Sequence, residues 1–311
     1  MHIGRTRRGA VAIWLILSSG AYAQIMAPTK GKAVSRVNGA SDVSPSGETR
    51  SPVAQLVGGS SDKQLMIYHR GPLMTGTTNV YFIWYGTWTA IEKALVDKFV
   101  QNIGGTPYYD INTTYSVTGE TIANSVSLGR STSDTNQYGL KLSDTDVELI
   151  VTNAIAAGLP RDPSGLYLVM GGSDVSETSG FCKTYCSFHT YSTLVMGDTT
   201  TVIKYGFVGD AARCPNACAW QETGPNGSAN LAADAAVNLI AHELGDAVTD
   251  PQLNGWYDRL DEENADKCAW TFGTTSKASN GSEYNIVLGG TEYLIQELWL
   301  NSGKGTCAMK N

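Results

Sequence analysis

Runs of apolar residues alternate with amphipathic segments in the middle of the chain, and most runs end at glycine or proline. The β-branched and aromatic run at residues 79–85 predicts a buried strand. A helix is predicted directly after it, because Thr89 and Glu92 form a capping-box pattern and the following apolar residues have helical spacing. Gly104 and Gly105 supply the stop signal for this helix.

The alternation continues toward the C-terminus. "ANSVSLGRS" and "GLYLVMGG" predict strands, and Ser143 with Asp146 opens a second predicted helix between them. "FHTYSTLVM" and "KYGFVGDAA" predict two further strands, residues 231–248 a helix, and "TEYLIQELWL" a last helix. This order predicts an α+β fold, in which a single domain has one mixed β-sheet and packed helices.

The first 63 residues differ from the rest of the chain. Residues 1–23 combine three arginines, a short apolar stretch and the cleavage-site pattern Ala21-Tyr22-Ala23, which predicts a secretory signal peptide. Residues 24–63 are rich in Ser, Gly, Ala and Pro and predict a flexible leader, so the folded domain is expected at residues 64–311. No other segment has the roughly 20 apolar residues of a membrane span.

The charge balance narrows the range of partners. The formal net charge is −7, and losing the three arginines of the signal peptide makes it −10. Basic residues are not clustered, so neither nucleic acid nor an anionic membrane surface is an expected partner. An exported acidic chain is instead expected to meet an extracellular polymer or peptide.

Six cysteines lie in the C-terminal half of the chain. An even number in an exported protein predicts three disulfides that staple this half. Fifteen pairings are possible; our prediction is that each C-x3-C pair closes locally and that the last two cysteines join. The alternative is that the two C-x3-C pairs bind a zinc cluster. The six cysteines are the pairs Cys182 and Cys186, Cys214 and Cys218, and then Cys268 and Cys307.

The predicted helix at residues 231–248 carries the candidate chemistry. It is apolar on nearly all sides, and such a helix is normally buried. His242 and Asp246 are four residues apart and therefore share one face, as metal ligands on a helix do. Glu243 occupies the position of the general base in the zinc-protease pattern H-E-x-x-H, whose second histidine is replaced here by Asp246. The pattern predicts a zincin-like helix with a divalent metal, either bound for catalysis or held structurally.

Further ligands are expected from the acidic segment "YDRLDEENADKC" downstream. Glu262 and Asp266 fit the E-x-x-x-D arrangement of a third ligand and its supporting acid, and Glu263 and Asp250 are further candidates. Zinc accepts a mixed nitrogen and oxygen site and is the first choice of metal. A site with more carboxylates would also suit calcium or manganese.

Seven motifs in order, from "YHRGPLMTG" through "AHELGDAVTDP" to "YLIQELWL", resemble the EXORDIUM / phosphate-induced protein family. The resemblance covers about residues 65–307 and implies a secreted protein of the plant cell wall or apoplast, linked to cell expansion. It places His242 and Glu243 on the family's His-Glu pair. It places Glu263 and Asp266 on the family's acidic stretch before a cysteine. The family usually has Glu at the position of Asp246, so the shorter side chain weakens the case for direct ligation there.

Two functional hypotheses follow. In the first, which we favour, the chain is a non-catalytic extracellular protein whose acidic residues hold a structural ion or a hydrogen-bond network. In the second, it is a secreted zincin-like hydrolase that uses Glu243 as general base. His69 and His189 are further possible ligands. A sugar-stacking surface is an additional possibility for the tryptophans at positions 84, 88, 220, 256 and 270.

Overall fold

The computed structural model describes residues 65–311 and, before them, the backbones of two strands, Gln24–Met26 and Ala33–Arg36. The predicted signal peptide lies outside the described residues, and so does the remainder of the predicted leader. Within residues 65–311, no helix combines the length and the apolar character needed to cross a membrane.

The described residues form four helices and one main sheet of eight strands. The helices are α1 (Ala90–Ile103), α2 (Asp144–Ala156), α3 (Pro215–Cys218) and α4 (Leu231–Thr249). The strands of the main sheet are β1 (Gln24–Met26), β2 (Ala33–Arg36), β3 (Thr78–Tyr85), β4 (Val126–Leu128), β5 (Thr132–Ser133), β6 (Gly165–Gly171), β7 (Tyr185–Met196) and β8 (Thr199–Val208).

Short elements fill the connections between these helices and strands. Four short 3₁₀ helices of the described residues lie at Tyr109–Thr114, Ala211–Arg213, Ser228–Asn230 and Asp266–Cys268. Six two-stranded ladders pair Ile67–Tyr68 with Trp256–Tyr257, Ser116–Val117 with Glu120–Thr121, Lys141–Leu142 with Ser176–Glu177, Ser276–Lys277 with Glu283–Tyr284, Ile286–Leu288 with Thr291–Tyr293, and Leu298–Leu300 with Thr306–Ala308.

The main sheet is mixed, as predicted. Its strand order is β1–β7–β8–β6–β3–β4, with β2 also paired to β7 and β5 also paired to β3. Strands β8, β6, β3 and β4 are parallel, whereas β7 is antiparallel to β8. Strand β6 is buried along its whole length, as expected for a parallel strand covered on both faces.

Helices cover both faces of this sheet, and the side-chain alternation of β7 shows which helix covers which face. Ser187 points to α4, where its hydroxyl donates to Glu243. Ser192 has the opposite parity, and its hydroxyl donates to Glu148 of α2. Helix α1 packs beside α4, so α1 and α4 cover one face and α2 covers the other. The fold therefore has three layers, with the sheet between α2 on one face and α1 with α4 on the other. Helix α4 is buried within its layer.

Both predicted capping boxes are confirmed. The Thr89 hydroxyl accepts a hydrogen bond from the Glu92 amide at 3.2 Å, and the Glu92 carboxylate accepts one from the Thr89 amide at 2.8 Å. Ser143 and Asp146 make the same reciprocal pair at the start of α2. Helix α1 ends at Ile103 with Gly104 as its C-cap, in agreement with the predicted stop signal.

The predicted last helix is wrong, because "TEYLIQELWL" forms parts of two ladders, Thr291–Tyr293 and Leu298–Leu300. Side chains form hydrogen bonds with backbone groups that would pair with one another in a helix. The Asn285 amide group both accepts from the Ile295 amide at 3.0 Å and donates to the Ile295 carbonyl at 2.7 Å. The Gln296 amide donates to Asn238 of α4 at 2.8 Å. The segment is therefore extended along α4.

Three disulfides are present, and the prediction was right for Cys268–Cys307 but wrong for the other two. Neither C-x3-C segment forms a disulfide between its own two cysteines. They pair with each other as Cys182–Cys214 and Cys186–Cys218. Cys182 and Cys186 flank the start of β7, and α3 places Cys214 and Cys218 on one face opposite them. The two segments are therefore joined by two neighbouring bridges.

Removing one of these two bridges should destabilise the fold substantially. For C186A/C218A we expect a loss of about 2–3 kcal/mol in the free energy of unfolding, because the remaining Cys182–Cys214 bridge shortens the loop that this bond closes to about 10 residues. The Cys182–Cys214 bridge has the same sequence separation, so C182A/C214A should lose a similar free energy of unfolding. Urea denaturation measures both losses. Non-reducing peptide maps that join Cys182 to Cys186 would contradict the observed pairing.

Lys204 on β8 is a buried charge outside the α4 region. It is 5% exposed, and its ammonium group donates to the Pro163 carbonyl. Burial lowers the pKa of Lys204 to about 8, and the Asp162 carboxylate opposes this only in part. In the unfolded chain the same ammonium keeps its proton to about pH 10.5.

Lys204 should therefore make stability depend on pH in an alkaline window. Between about pH 8 and 10.5 the unfolded chain binds more protons at this site than the folded protein, so stability rises with pH. Relative to K204M, the wild type should gain about 3 kcal/mol across this window and show a constant difference below it. Urea denaturation of both proteins at several pH values measures this. A difference that stays flat up to pH 10.5 would contradict the assigned shift.

Candidate metal centre

Helix α4 is buried along nearly its whole length, as its apolar sequence predicts. The candidate residues His242, Glu243 and Asp246 are each 1% exposed. An ionised group at such a position is strongly destabilising unless it has a partner of opposite charge or hydrogen bonds. The neighbours of these three side chains therefore define what the site can do.

His242 lies between two carboxylates. Its Nε2 atom is 3.1 Å from Asp246 Oδ2, one helical turn away, and 3.2 Å from Asp266 Oδ1 in the downstream loop. One ligand atom from each of these three residues lies within 4.8 Å of the other two. Neither oxygen lies in the direction of a well-formed hydrogen bond from Nε2, although both are close enough for one.

The charges around His242 are strongly coupled. Burial opposes protonation of the imidazole, but Asp246 and Asp266 outweigh it and raise the pKa of His242 well above its usual value. Burial raises the pKa of Asp246 to about 6, against the opposing effect of His242. The cluster therefore favours one positive charge among its carboxylates.

The loop that carries Asp266 is fixed against α4. Asp246 Oδ1 accepts a hydrogen bond from the Ala265 amide at 2.5 Å, so this carboxylate contacts both His242 and the loop backbone. Lys267 Nζ is 2.6 Å from Asp258 Oδ2 in a fully buried ion pair and lies 4.6 Å from the ring centre of Trp299. The loop is thus held on both sides of Asp266.

Glu263 lies beside the cluster of His242, Asp246 and Asp266, and its carboxylate contacts His189 of β7. The distance from His189 Nε2 to Glu263 Oε2 is 3.2 Å, and both side chains are buried. Burial lowers the pKa of His189 to about 3. Burial, the charge of Asp246 and a hydrogen bond to Asp250 raise the pKa of Glu263 well above its usual value. His189 is only a secondary candidate in the sequence, because it lies far along the chain from the H-E-x-x-D motif and has no characteristic spacing to it.

Glu243 faces a different neighbour. Its Oε1 atom accepts a hydrogen bond from the Ser187 hydroxyl at 2.5 Å, while Oε2 has no hydrogen-bond partner among the described residues. Burial raises the pKa of Glu243 to about 8. Glu243 is not one of the three residues whose ligand atoms converge.

The remaining candidates are separate from the cluster of three. Glu262 is 9% exposed, and its backbone amide donates to Asp258 at 3.1 Å. His69 stacks on Tyr257 with ring centres 3.5 Å apart and interacts with the Tyr257 carbonyl. Neither belongs to the group of converging ligand atoms found in the described part of the chain.

The predicted tryptophan surface is not one surface. Trp84 is 3% exposed and belongs to the core, where it contacts Trp88. Trp256 packs against Tyr68 and Tyr115. Trp220 differs from these because it is 46% exposed.

The fold and the site together define a mixed α/β protein with three disulfides and a buried histidine–carboxylate cluster on one helix. The family model for the phosphate-induced protein 1 conserved region matches residues 66–309. The chain therefore belongs to this family, as its sequence motifs indicated.

Named relatives agree with this assignment. Protein EXORDIUM-like 3 of Arabidopsis thaliana is 30% identical over 282 residues, which covers 78% of this chain and 82% of the relative. Protein EXORDIUM-like 5 of the same plant is 28% identical over 295 residues, covering 81% and 80%. Protein PHOSPHATE-INDUCED 1 of Nicotiana tabacum is 26% identical over 221 residues, covering 63% and 68%. No solved structure matches the chain, so the zincin-like fold stays a prediction.

The Lys267–Asp258 pair should be essential to the loop beside the cluster. K267M leaves the Asp258 carboxylate buried without its cation, so we expect a loss of about 3–5 kcal/mol in the free energy of unfolding. The matched control is K277M, which removes a pair to Glu283 in which the lysine side chain is 65% exposed and should change stability by less than about 0.5 kcal/mol.

A second variant tests the cause of the K267M effect. D258N/K267M removes the unpaired charge but keeps the Oδ1 acceptor for the Leu260 and Glu262 amides, so it should recover part of the loss. Urea denaturation of the three variants makes the comparison. Equal losses for K267M and K277M would show that burial of the pair has no energetic consequence.

Proposed function

We propose that His242, Asp246 and Asp266 bind one divalent cation, with zinc as the first choice, and that the ion is structural. The single observation that carries this proposal is the convergence of one imidazole nitrogen and two carboxylate oxygens in a buried position. Glu263 and His189 lie next to these ligands and would orient or supplement them.

The interatomic distances support a shared ion. A zinc ion bound at about 2.0–2.2 Å in a tetrahedron holds its ligand atoms about 3.4 Å apart. The two measured separations from His242 Nε2 are 3.1 and 3.2 Å. Ligand atoms that point at a common centre also do not point at one another, which agrees with the poor hydrogen-bond geometry between them.

The donor set supports zinc over calcium. Calcium prefers six to eight oxygen ligands, whereas zinc accepts imidazole nitrogen together with carboxylate oxygen. Manganese also accepts such a set, so it is the second choice. A cation would further offset the buried negative charge of Asp246 and Asp266, which one imidazolium balances only in part.

Burial supports a structural role rather than a catalytic one. His242 and Asp246 are each 1% exposed, and a catalytic metal needs a position that substrate can reach. The residue in the general-base position, Glu243, is engaged by Ser187. The alternative of a zincin-like hydrolase using Glu243 as general base is therefore not favoured.

We further propose that the protein acts outside the cell. Three disulfides suit an oxidising compartment, and the net charge of −7 disfavours nucleic acid. Its partner would be an extracellular polymer or peptide. The membership in the phosphate-induced and EXORDIUM-like family supports this location.

Metal analysis of the purified full chain tests the cation. We expect about one equivalent of zinc in the wild type after dialysis against trace zinc, and its loss in D266N, which keeps the side-chain shape but removes the charge. H242A should also lose the ion. H69A is the matched control, because His69 stacks on Tyr257 outside the cluster and its variant should keep the ion.

Thermal unfolding gives a second readout. Ligand at a hundredfold excess over its Kd stabilises a protein by about 2.7 kcal/mol, so a chelator should lower the Tm of the wild type and of H69A by several degrees. D266N should show no chelator effect. A wild type with no bound metal and no chelator effect would leave the cluster as a charge network without an ion.

A further inference from the structure

A cavity lies at the edge of the main sheet where the parallel strands β3 and β6 begin. Its lining consists of residues 72–76 before β3, residues 163–164 before β6, Val202 and Lys204 of β8, and residues 251–252 just after α4. The volume is about 240 Å³, which is below the range for drug-sized ligands and suits a smaller molecule. Pro72, Gly76 and Pro163 are exposed, so the cavity is open to solvent.

Lys204 is the charged residue of this lining. Its side chain is 5% exposed, and its ammonium group donates a hydrogen bond to the carbonyl of Pro163, which lines the cavity too. This carbonyl is the hydrogen-bond partner of Nζ among the described residues, so two of the three N–H donors are available to a ligand.

The acid that acts on Lys204 is engaged by other groups. Asp162 Oδ2 accepts hydrogen bonds from the Asn79 amide group at 2.7 Å and from the Tyr81 hydroxyl at 2.9 Å. Asp162 Oδ1 accepts from the Ser164 backbone amide at 2.8 Å. Among residues 65–311, no carboxylate forms an ion pair with Lys204. A buried ammonium without an opposite charge is costly, so an anion bound in the cavity would be favourable.

The other neighbours of Lys204 supply no carboxylate either. The residues that align with it on the adjacent strands are Leu166 on β6 and Tyr191 on β7. The other polar side chains of the lining can all donate hydrogen bonds; they belong to Thr75, Ser164 and Gln252. The lining therefore combines one buried cation with neutral donors.

We propose that this cavity binds a small organic carboxylate, which pairs with the Lys204 ammonium and places its apolar body against Leu73, Met74 and Val202. Hydrogen bonds between an ammonium and a carboxylate are about twice as strong as those between neutral groups. The apolar part of the lining favours an organic anion over sulfate or phosphate, because these ions have no apolar surface to bury there. None of the three proposed cation ligands lines the cavity, so this proposal does not depend on the cation site.

Calorimetric titration of the full chain with benzoate tests the proposal. We expect a Kd of about 1 mM or tighter at neutral pH, whereas benzyl alcohol, which has the same ring without the charge, should bind at least about tenfold more weakly. K204M removes the ammonium but keeps an apolar side chain of similar length, so it should weaken benzoate binding about tenfold or more. K183M is the matched control, because Lys183 is exposed and does not line the cavity, and its variant should bind like the wild type.

The pH dependence of benzoate binding distinguishes an ion pair from a merely structural role of Lys204. Burial lowers the pKa of Lys204 to about 8, and Asp162 opposes this only in part. The ammonium form alone can pair with a carboxylate. The affinity should therefore be nearly constant between about pH 6 and 7, and about tenfold lower at about pH 9 than at about pH 7. The wild type itself gives this result, so the test holds even where K204M unfolds.

The outcomes separate the alternatives. Benzoate binding that falls in K204M, persists in K183M and weakens in alkaline solution supports the site. The proposal is overturned by a wild type that does not bind millimolar benzoate, by a K204M variant that binds it as tightly, or by an affinity that is unchanged in alkaline solution. Equal affinity for benzyl alcohol would indicate an apolar pocket, and tighter binding of sulfate would indicate a site for inorganic anions; either result also overturns the proposal.

Discussion

The structure depends on the burial of ionisable side chains at the centre of one helix. His242, Glu243 and Asp246 are each 1% exposed on α4, and charges at such depth are tolerated only with close partners. Ser187 and His189 on β7 and the loop around Asp266 are positioned to provide those partners. The packing of sheet, helix and loop is thus tied to the electrostatics of a few atoms, rather than to apolar burial alone.

A polar stripe runs along α4 from a depression beside Asp234 to the histidine–carboxylate cluster. Asp234, Asn238, His242 and Asp246 follow one another at intervals of four residues, so each lies one turn, about 6 Å, from the next. Because four residues exceed one helical turn by about 40°, the stripe winds around the helix. Its first two members border this depression, and its last two are enclosed with Asp266. One rigid element therefore sets the spacing between the polar groups beside the depression and those of the enclosed cluster.

Local patterns in the sequence predicted the local structure well. Helices α1 and α2 begin at their capping boxes, and the apolar character of α4 indicated its burial. The E-x-x-x-D spacing of Glu262 and Asp266 indicated Asp266, although Glu262 is not one of the three residues that converge. What depends on distant contacts was not predictable. His189 reaches Glu263 across 74 residues, and the helical pattern of "TEYLIQELWL" was overridden by hydrogen bonds between its backbone and the side chains of Asn238 and Asn285.

The crossed pairing of the two C-x3-C segments has a consequence for how the chain acquires its covalent structure. Each native bridge spans 32 residues, whereas the incorrect local bridge spans four, and three doublings of loop length favour the local bridge by about 2 kcal/mol in an unfolded chain. Cys214 Sγ and Cys218 Sγ are only 3.5 Å apart even in the native fold. Oxidation before folding would therefore trap the wrong pairs. Correct maturation requires β7 to meet α3 first, or thiol–disulfide exchange afterwards.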